Sequence, residues 1–136
     1  MKALILGLLM ASVAVACDCV ELPAKVAKAS AEIVFRGTVT SLRDSGKGYP
    51  MAVFRVARVW KGNVPETYEM AARKELFGCI GFVAPVEIGS EFLVYAGRID
   101  RSIGSEYIPQ PCQTKLTKDA EGQLRALGRG RSPGSK

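Results

Sequence analysis

Cys17, Cys19, Cys79 and Cys112 are the residues whose type and spacing bear most directly on chemistry. Cysteines can bridge to one another, ligate a metal or carry an acyl group. A zinc site wants closely spaced ligand pairs at both ends of its set, whereas only Cys17 and Cys19 lie close together and the chain has no histidine. Disulfides fit better, because the count is even. Cys17 and Cys19 stand too near in sequence to bridge each other comfortably, so each must reach a distant partner. Two arrangements remain: Cys17 to Cys79 with Cys19 to Cys112, or Cys17 to Cys112 with Cys19 to Cys79. Either closes loops of roughly 60 to 95 residues, each contributing about 4 kcal/mol on the chain-entropy view. For a small domain that is a large share of net stability.

Bridges persist in an oxidising compartment, and the start of the chain supplies a route to one. Lys2, the apolar run from Ala3 to Val15 and the small residues Ala14-Val15-Ala16 predict a secretory signal peptide over residues 1–16, with the mature chain starting at Cys17. A membrane anchor would need about 20 apolar residues, and this run gives way to Asp18 and Glu21. The expected product is exported, periplasmic or extracellular, without a transmembrane segment. A lesser alternative is lipoprotein anchoring at Cys17. Ala14 stands where a lipobox usually has Leu, and acylation would leave an odd number of thiols.

Removal of residues 1–16 leaves 120 residues, enough for one domain with one modest core. It also removes Lys2, leaving 18 basic against 13 acidic residues. That excess favours acidic surfaces such as lipid headgroups, polysaccharide or an acidic protein partner, while export argues against nucleic acid.

The elements that must position the cysteines follow from apolar periodicity. Residues 22–29 predict a short helix, with Pro23 near its start and Leu22, Val26 and Ala29 on one face. Residues 31–42 alternate, with Ile33, Phe35, Gly37 and Val39 on the buried side and Val34 as the exception, which predicts a strand that Gly37 lets coil or bulge. Turn residues fill 44–50. A second strand spans 51–60, where Val53, Phe54, Val56, Val59 and Trp60 break alternation and predict a bulge. Further strands are expected at 66–72, 91–97 and 106–108, and a closing helix at 117–127 with Ala120, Leu124 and Leu127 on one face. The core is expected around Ile33, Phe35, Val39, Phe54, Val56, Leu93 and either Val94 or Tyr95. Cys79 falls in the long connection 73–90. The tail 128–136 has no apolar residue and reads as a disordered basic extension to the domain at 17–127. The expected fold class is mainly β: a five-stranded OB-type barrel with a short N-terminal helix and a C-terminal helix, stapled by disulfides.

With these elements in place, the chain resembles the netrin-like module, the N-terminal domain type of the tissue inhibitors of metalloproteinases, as a single-domain member with a signal peptide of bacterial brevity. The likeness is carried by Cys17-Asp18-Cys19, by residues 31–37 and 56–62, by Cys79, by residues 87–97 and by Cys112, and covers roughly 17–127. It implies the OB-type barrel and selects the pairing Cys17 to Cys79 and Cys19 to Cys112. In those inhibitors the N-terminal cysteine chelates the protease's catalytic zinc through its α-amine and carbonyl oxygen. The resemblance thus implies a partner-binding ridge at Cys17, Asp18, Cys19 and Val20. Asp18 departs from the small side chain usual in the specificity pocket, where an unpaired carboxylate costs several kcal/mol. The third disulfide and the separate C-terminal domain of the animal inhibitors are absent.

Two functions follow. The first is a secreted or periplasmic protein-binding domain that inhibits a zinc metalloprotease. The other is an adhesion or matrix-binding module that uses the basic surface without touching a metal. An enzyme is not expected, since without histidine, and with the cysteines bridged, acid–base or nucleophilic chemistry would rest on carboxylates or a Ser/Lys pair that nothing groups. No cofactor and no resident metal are expected.

Overall fold

The computed structural model describes residues 20–72, 82, 84–98, 107–110 and 112–135. The expected signal peptide, Cys17, Asp18, Cys19 and Cys79 lie outside the described residues. The chain runs through α1 (Ala24–Ser30), β1 (Ile33–Asp44), β2 (Pro50–Lys61), β3 (Thr67–Ala71), β4 (Glu91–Gly97), β5 (Ile108–Pro109), β6 (Lys115–Leu116), a 3-10 turn (Thr117–Asp119) and α2 (Glu121–Leu127). The strands form one antiparallel sheet in the order β3-β2-β1-β4-β5, with β6 also beside β4. The chain is therefore mainly β with two short helices. Among the described residues the outer strands β3 and β5 do not pair, so the sheet curls into half a barrel and carries six strands where five were expected.

The curl has a local cause. Between β1 and β2 the register slips three times, leaving Ala57 and Trp60 as extra residues on β2 and Thr40 on β1. Each such bulge sharpens the twist, and those on β2 fall where its apolar pattern loses alternation. Gly37 sits at one slip, where a Cβ would lie 3.2 Å from the Arg55 carbonyl oxygen and 3.3 Å from the Phe35 ring. A side chain there would have to push these neighbours aside by a few tenths of an ångström.

Both faces of the curled sheet are covered. The concave face holds the main core, in which Phe35 meets Phe54 edge-on at 5.6 Å and Phe82 meets Phe92 at 5.1 Å. The opposite face carries a second core of Val34, Trp60, Leu93 and Tyr95, roofed by Ala27, Ala31 and Ala120 with Leu124 and Leu127 packed beside them. This corrects the expected single core. Leu93 and Tyr95 belong to the second core with Val34, while Phe92, Val94 and Ala96 fill the first. It also corrects the expected face of the first helix, which buries Ala24 and Ala27 and leaves Val26 exposed. Only small side chains let α1 approach the sheet that closely. Lys61 Nζ donates to the Lys28 and Ala29 carbonyls at 2.8 and 3.1 Å, setting a cation at the helix C-terminus where the peptide dipoles favour it.

The tail is the largest departure from expectation. Rather than being disordered, residues 128–135 lie along β2. Val59 and Arg131 exchange backbone hydrogen bonds at 2.9 and 2.8 Å, and the Gly134 amide donates to the Val64 carbonyl at 3.0 Å. The Trp60 indole donates to the Gly128 carbonyl at 3.1 Å. Composition misleads because this order comes from backbone groups satisfied along a strand edge, which needs no apolar side chain. Gly130 is required: its φ is +68° and a Cβ would lie 3.0 Å from the Trp60 ring.

Truncation after Leu127 removes four of these hydrogen bonds and should cost about 2–4 kcal/mol. Trp60 is the only tryptophan, so its fluorescence should shift to the red as the indole meets water. An unshifted spectrum together with an unchanged denaturant midpoint would show that the tail contributes nothing.

Candidate functional site

The residues that prepare the N-terminal segment are placed by a detour in the chain between β5 and β6. Gln113 and Thr114 both donate backbone N–H groups to the Gln110 carbonyl, at 3.2 and 2.8 Å, making a tight turn. In the gap this leaves in the ladder, the Thr114 hydroxyl takes the place of a main-chain group. It accepts from the Tyr95 N–H at 3.0 Å and donates to the Tyr95 carbonyl at 2.9 Å, while the Gln110 N–H reaches that same carbonyl at 2.7 Å. The turn throws Cys112 and Gln113 off the sheet. Cys112 is disulfide-bonded, and the other three cysteines lie outside the described residues.

Gln113 is buried, and its amide spans two chain residues. Its Nε2 donates to the Val20 carbonyl at 3.0 Å, and its Oε1 accepts from the Leu22 N–H at 3.1 Å. This pair does what one rung of a β-ladder does, holding residues 20–22 in extended form and setting their direction. Between the two contacts, Glu21 reaches Lys115 Nζ at 2.8 Å and accepts from Gln123 Nε2 at 3.0 Å. Gln123 Oε1 in turn accepts from the Tyr95 hydroxyl at 2.6 Å. The hydrogen bond and charge of Lys115, helped by Gln123, hold the Glu21 carboxyl below its usual range. Burial, with the nearby Glu21 charge adding, pushes the Tyr95 phenol up to about 12.

Val20 follows the expected ridge residues and is 70% exposed, an apolar side chain facing solvent on a backbone that is tied down. Ile88, between β3 and β4, is similarly exposed at 65%. Of the expected site residues, Val20 and Cys112 are described, and Gln113 joins their surroundings directly. Gln113, Thr114, Lys115 and Gln123 escaped sequence reading. Glutamine has no periodic signature, and position next to Cys112 is the one signal that marked Gln113.

Chemically this arrangement holds and presents a chain segment. Among the described residues, no three or more His, Cys, Asp and Glu side chains gather to hold a metal ion. No helix among them is long and apolar enough to cross a membrane. The fold and site define a mainly-β chain with an anchored N-terminal segment. No family model, curated protein or solved structure matches it.

Gln113→Ala should cost about 1–3 kcal/mol by leaving the Val20 carbonyl and Leu22 amide without their partner, and hydrogen exchange at Leu22 should accelerate. Gln113→Glu should restore only the Leu22 contact, because a carboxylate cannot donate to Val20. Unchanged exchange in both variants would show that the clamp does not hold the segment.

Alkaline stability follows from the tyrosines. Tyr95 and Tyr68 are both raised to about 12, in each case chiefly by burial. An acid raised in the folded state contributes fully below its unfolded pKa, so stability should fall as pH rises from about 10 towards 12. Ultraviolet titration should show Tyr68 and Tyr95 ionising late, with one late transition lost in Tyr95→Phe. No late transition in the folded protein would contradict the burial argument.

Proposed function

We propose that the chain is an exported netrin-like domain with an OB-type barrel. In this reading residues 1–16 are cleaved, and the segment 17–20 binds a protein partner, a zinc metalloprotease. The observation that carries it is the Gln113 clamp. A protein that recognises through its N-terminus must hold that terminus in one direction, and Gln113 holds the chain at Val20 and Leu22. The clamp also supports the pairing Cys19 to Cys112 with Cys17 to Cys79, since Gln113 adjoins the disulfide-bonded Cys112 and touches the residue that follows Cys19. Closure of the barrel is supported by Tyr68 on β3 and Tyr107 before β5, which pack on the same core.

The chemistry is that of a chelating α-amine. With Cys17 as the first residue, its amine can give up a proton to a metal at small cost near neutrality, as α-amines in general titrate at about 8. Amine nitrogen and carbonyl oxygen close a five-membered ring on the protease's zinc. A disulfide at Cys17 and the clamp beyond Cys19 fix that ring before binding, which lowers the entropy cost of association. Val20 would supply apolar contact beside it. Asp18, entering the specificity pocket, selects a protease that offers a cation there.

The test is a panel of zinc proteases assayed against the mature protein, a form with one residue added before Cys17, and Asp18→Ser. The mature protein should inhibit and the extended form should not, because an amide nitrogen is neither basic nor free to complete the ring. Asp18→Ser should improve inhibition of proteases with apolar pockets. Intact mass and non-reducing peptide maps of the same preparation should give Cys17 at the N-terminus and the stated bridges. Equal inhibition by extended and native forms excludes chelation. No inhibition by any form leaves an adhesion or matrix-binding module.

A further inference from the structure

The face of β1 and β2 that turns away from the main core is only half covered by the helices. Beyond the second core, the register sets Arg36 opposite Arg58 and Thr38 opposite Arg55. Like charges placed directly across a ladder oppose folding. The two carboxylates that the register puts on this face are already taken. Glu91 lies 3.0 Å from Arg36 and accepts from the Thr117 hydroxyl at 2.7 Å, and Glu69 is held by Arg43 through two contacts at 3.0 and 2.9 Å. Arg55 is exposed and Arg58 half-buried, and among the described residues neither side chain has a hydrogen bond or ion pair.

We propose that this face binds an acidic polysaccharide, a polyuronate chain whose carboxylates are taken by Arg55 and Arg58. Arg55 and Arg58 lie opposite Thr38 and Arg36, which are two residues, or roughly 7 Å of backbone, apart on β1, and each guanidinium is a planar fork that matches a carboxylate bidentately. A linear polymer with a carboxylate on every sugar can meet both while its ring hydroxyls reach Thr38. Other occupants fit less well. Among the described residues the exposed large apolar side chains are Val20, Val26, Leu42 and Ile88, and none of these lies on this face, Leu42 being on the concave side opposite Ala52. A membrane-inserting surface or a protein hot spot would need such anchors, and single-stranded nucleic acid would need exposed aromatic rings for stacking. The site is independent of the N-terminal segment and of the protease reading.

The experiment measures affinity for polygalacturonate at physiological salt, with neutral dextran as the reference polymer. The protein should bind polygalacturonate and not dextran. Arg55→Gln/Arg58→Gln should bind about tenfold or more weakly, from the loss of two charge-assisted contacts, with its melting temperature no lower than the parent's. Lys25→Gln/Arg129→Gln removes the same charge elsewhere and should bind as the parent does, as should the form extended before Cys17. Equal losses in the two double variants would reduce the effect to net charge and overturn the assignment. So would absence of binding to polygalacturonate, or loss of binding in the extended form. Equally tight binding to anionic phospholipid vesicles, equally dependent on Arg55 and Arg58, would overturn the polysaccharide in favour of a membrane surface.

Discussion

Strand β4 has no solvent face. Phe92, Val94 and Ala96 fill the main core while Leu93 and Tyr95 enter the second, so every residue from 92 to 96 is buried. A strand in that position must have its backbone groups satisfied on both edges, because water cannot reach them. One edge is taken by β1. On the other, β5 and β6 supply short rungs, and between them Thr114 and Gln110 serve Tyr95 directly. The detour that frees Cys112 and Gln113 from the sheet is possible because a hydroxyl stands in for the missing rung. Tyr95 thereby links the core to the surface, its ring in the second core and its hydroxyl, through Gln123, against the Glu21 segment.

The two cores also explain the division of the outer surface. Two seven-residue helices roof only part of the convex face, over Val34, Trp60, Leu93 and Tyr95. The remainder of β1 and β2 must meet water and carries Arg36, Thr38 and Arg55. The boundary falls at β4, where Leu93 is buried and Glu91, two residues earlier on the same side, is half-exposed and paired with Arg36. The anchored segment belongs to the covered half and the arginines to the open half. One chain can therefore hold residues 20–22 in a fixed direction and present a basic face without either disturbing the other.

Much of this architecture was legible in the sequence where a side chain's type reports its surroundings. Alternation located β1 and, with its break, β2 to within a residue or two, the break marked the bulges of β2, and β4 was expected at its observed bounds. Ala120, Leu124 and Leu127 identified the closing helix by their spacing. What escaped depends on partners rather than on type. Val34 looked like an exception to one buried face because a second core cannot be inferred from one strand. β6 is two residues long, too short to show a period. The tail reads as disordered by composition, yet two backbone hydrogen bonds at Arg131 and an indole over Gly130 place it. For the candidate site, the cysteines were legible as chemistry, whereas Gln113 and Gln123 became meaningful only with the Val20, Leu22 and Glu21 groups they meet.

Anchoring a chain segment in one direction asks more than a covalent link can supply. A disulfide fixes one point, about which a chain segment still pivots through several single bonds. The Gln113 amide adds two contacts of opposite polarity, a donor for Val20 and an acceptor for Leu22, and their order along the chain is unambiguous. Reversing the segment would set donor against donor. Glu21 adds a lateral constraint through Lys115 and Gln123, so rotation about the segment's axis is opposed as well. Neutral hydrogen bonds of this kind contribute only about 1 kcal/mol each to stability. Their larger effect is on direction: ordering lost before binding need not be lost again when a partner docks.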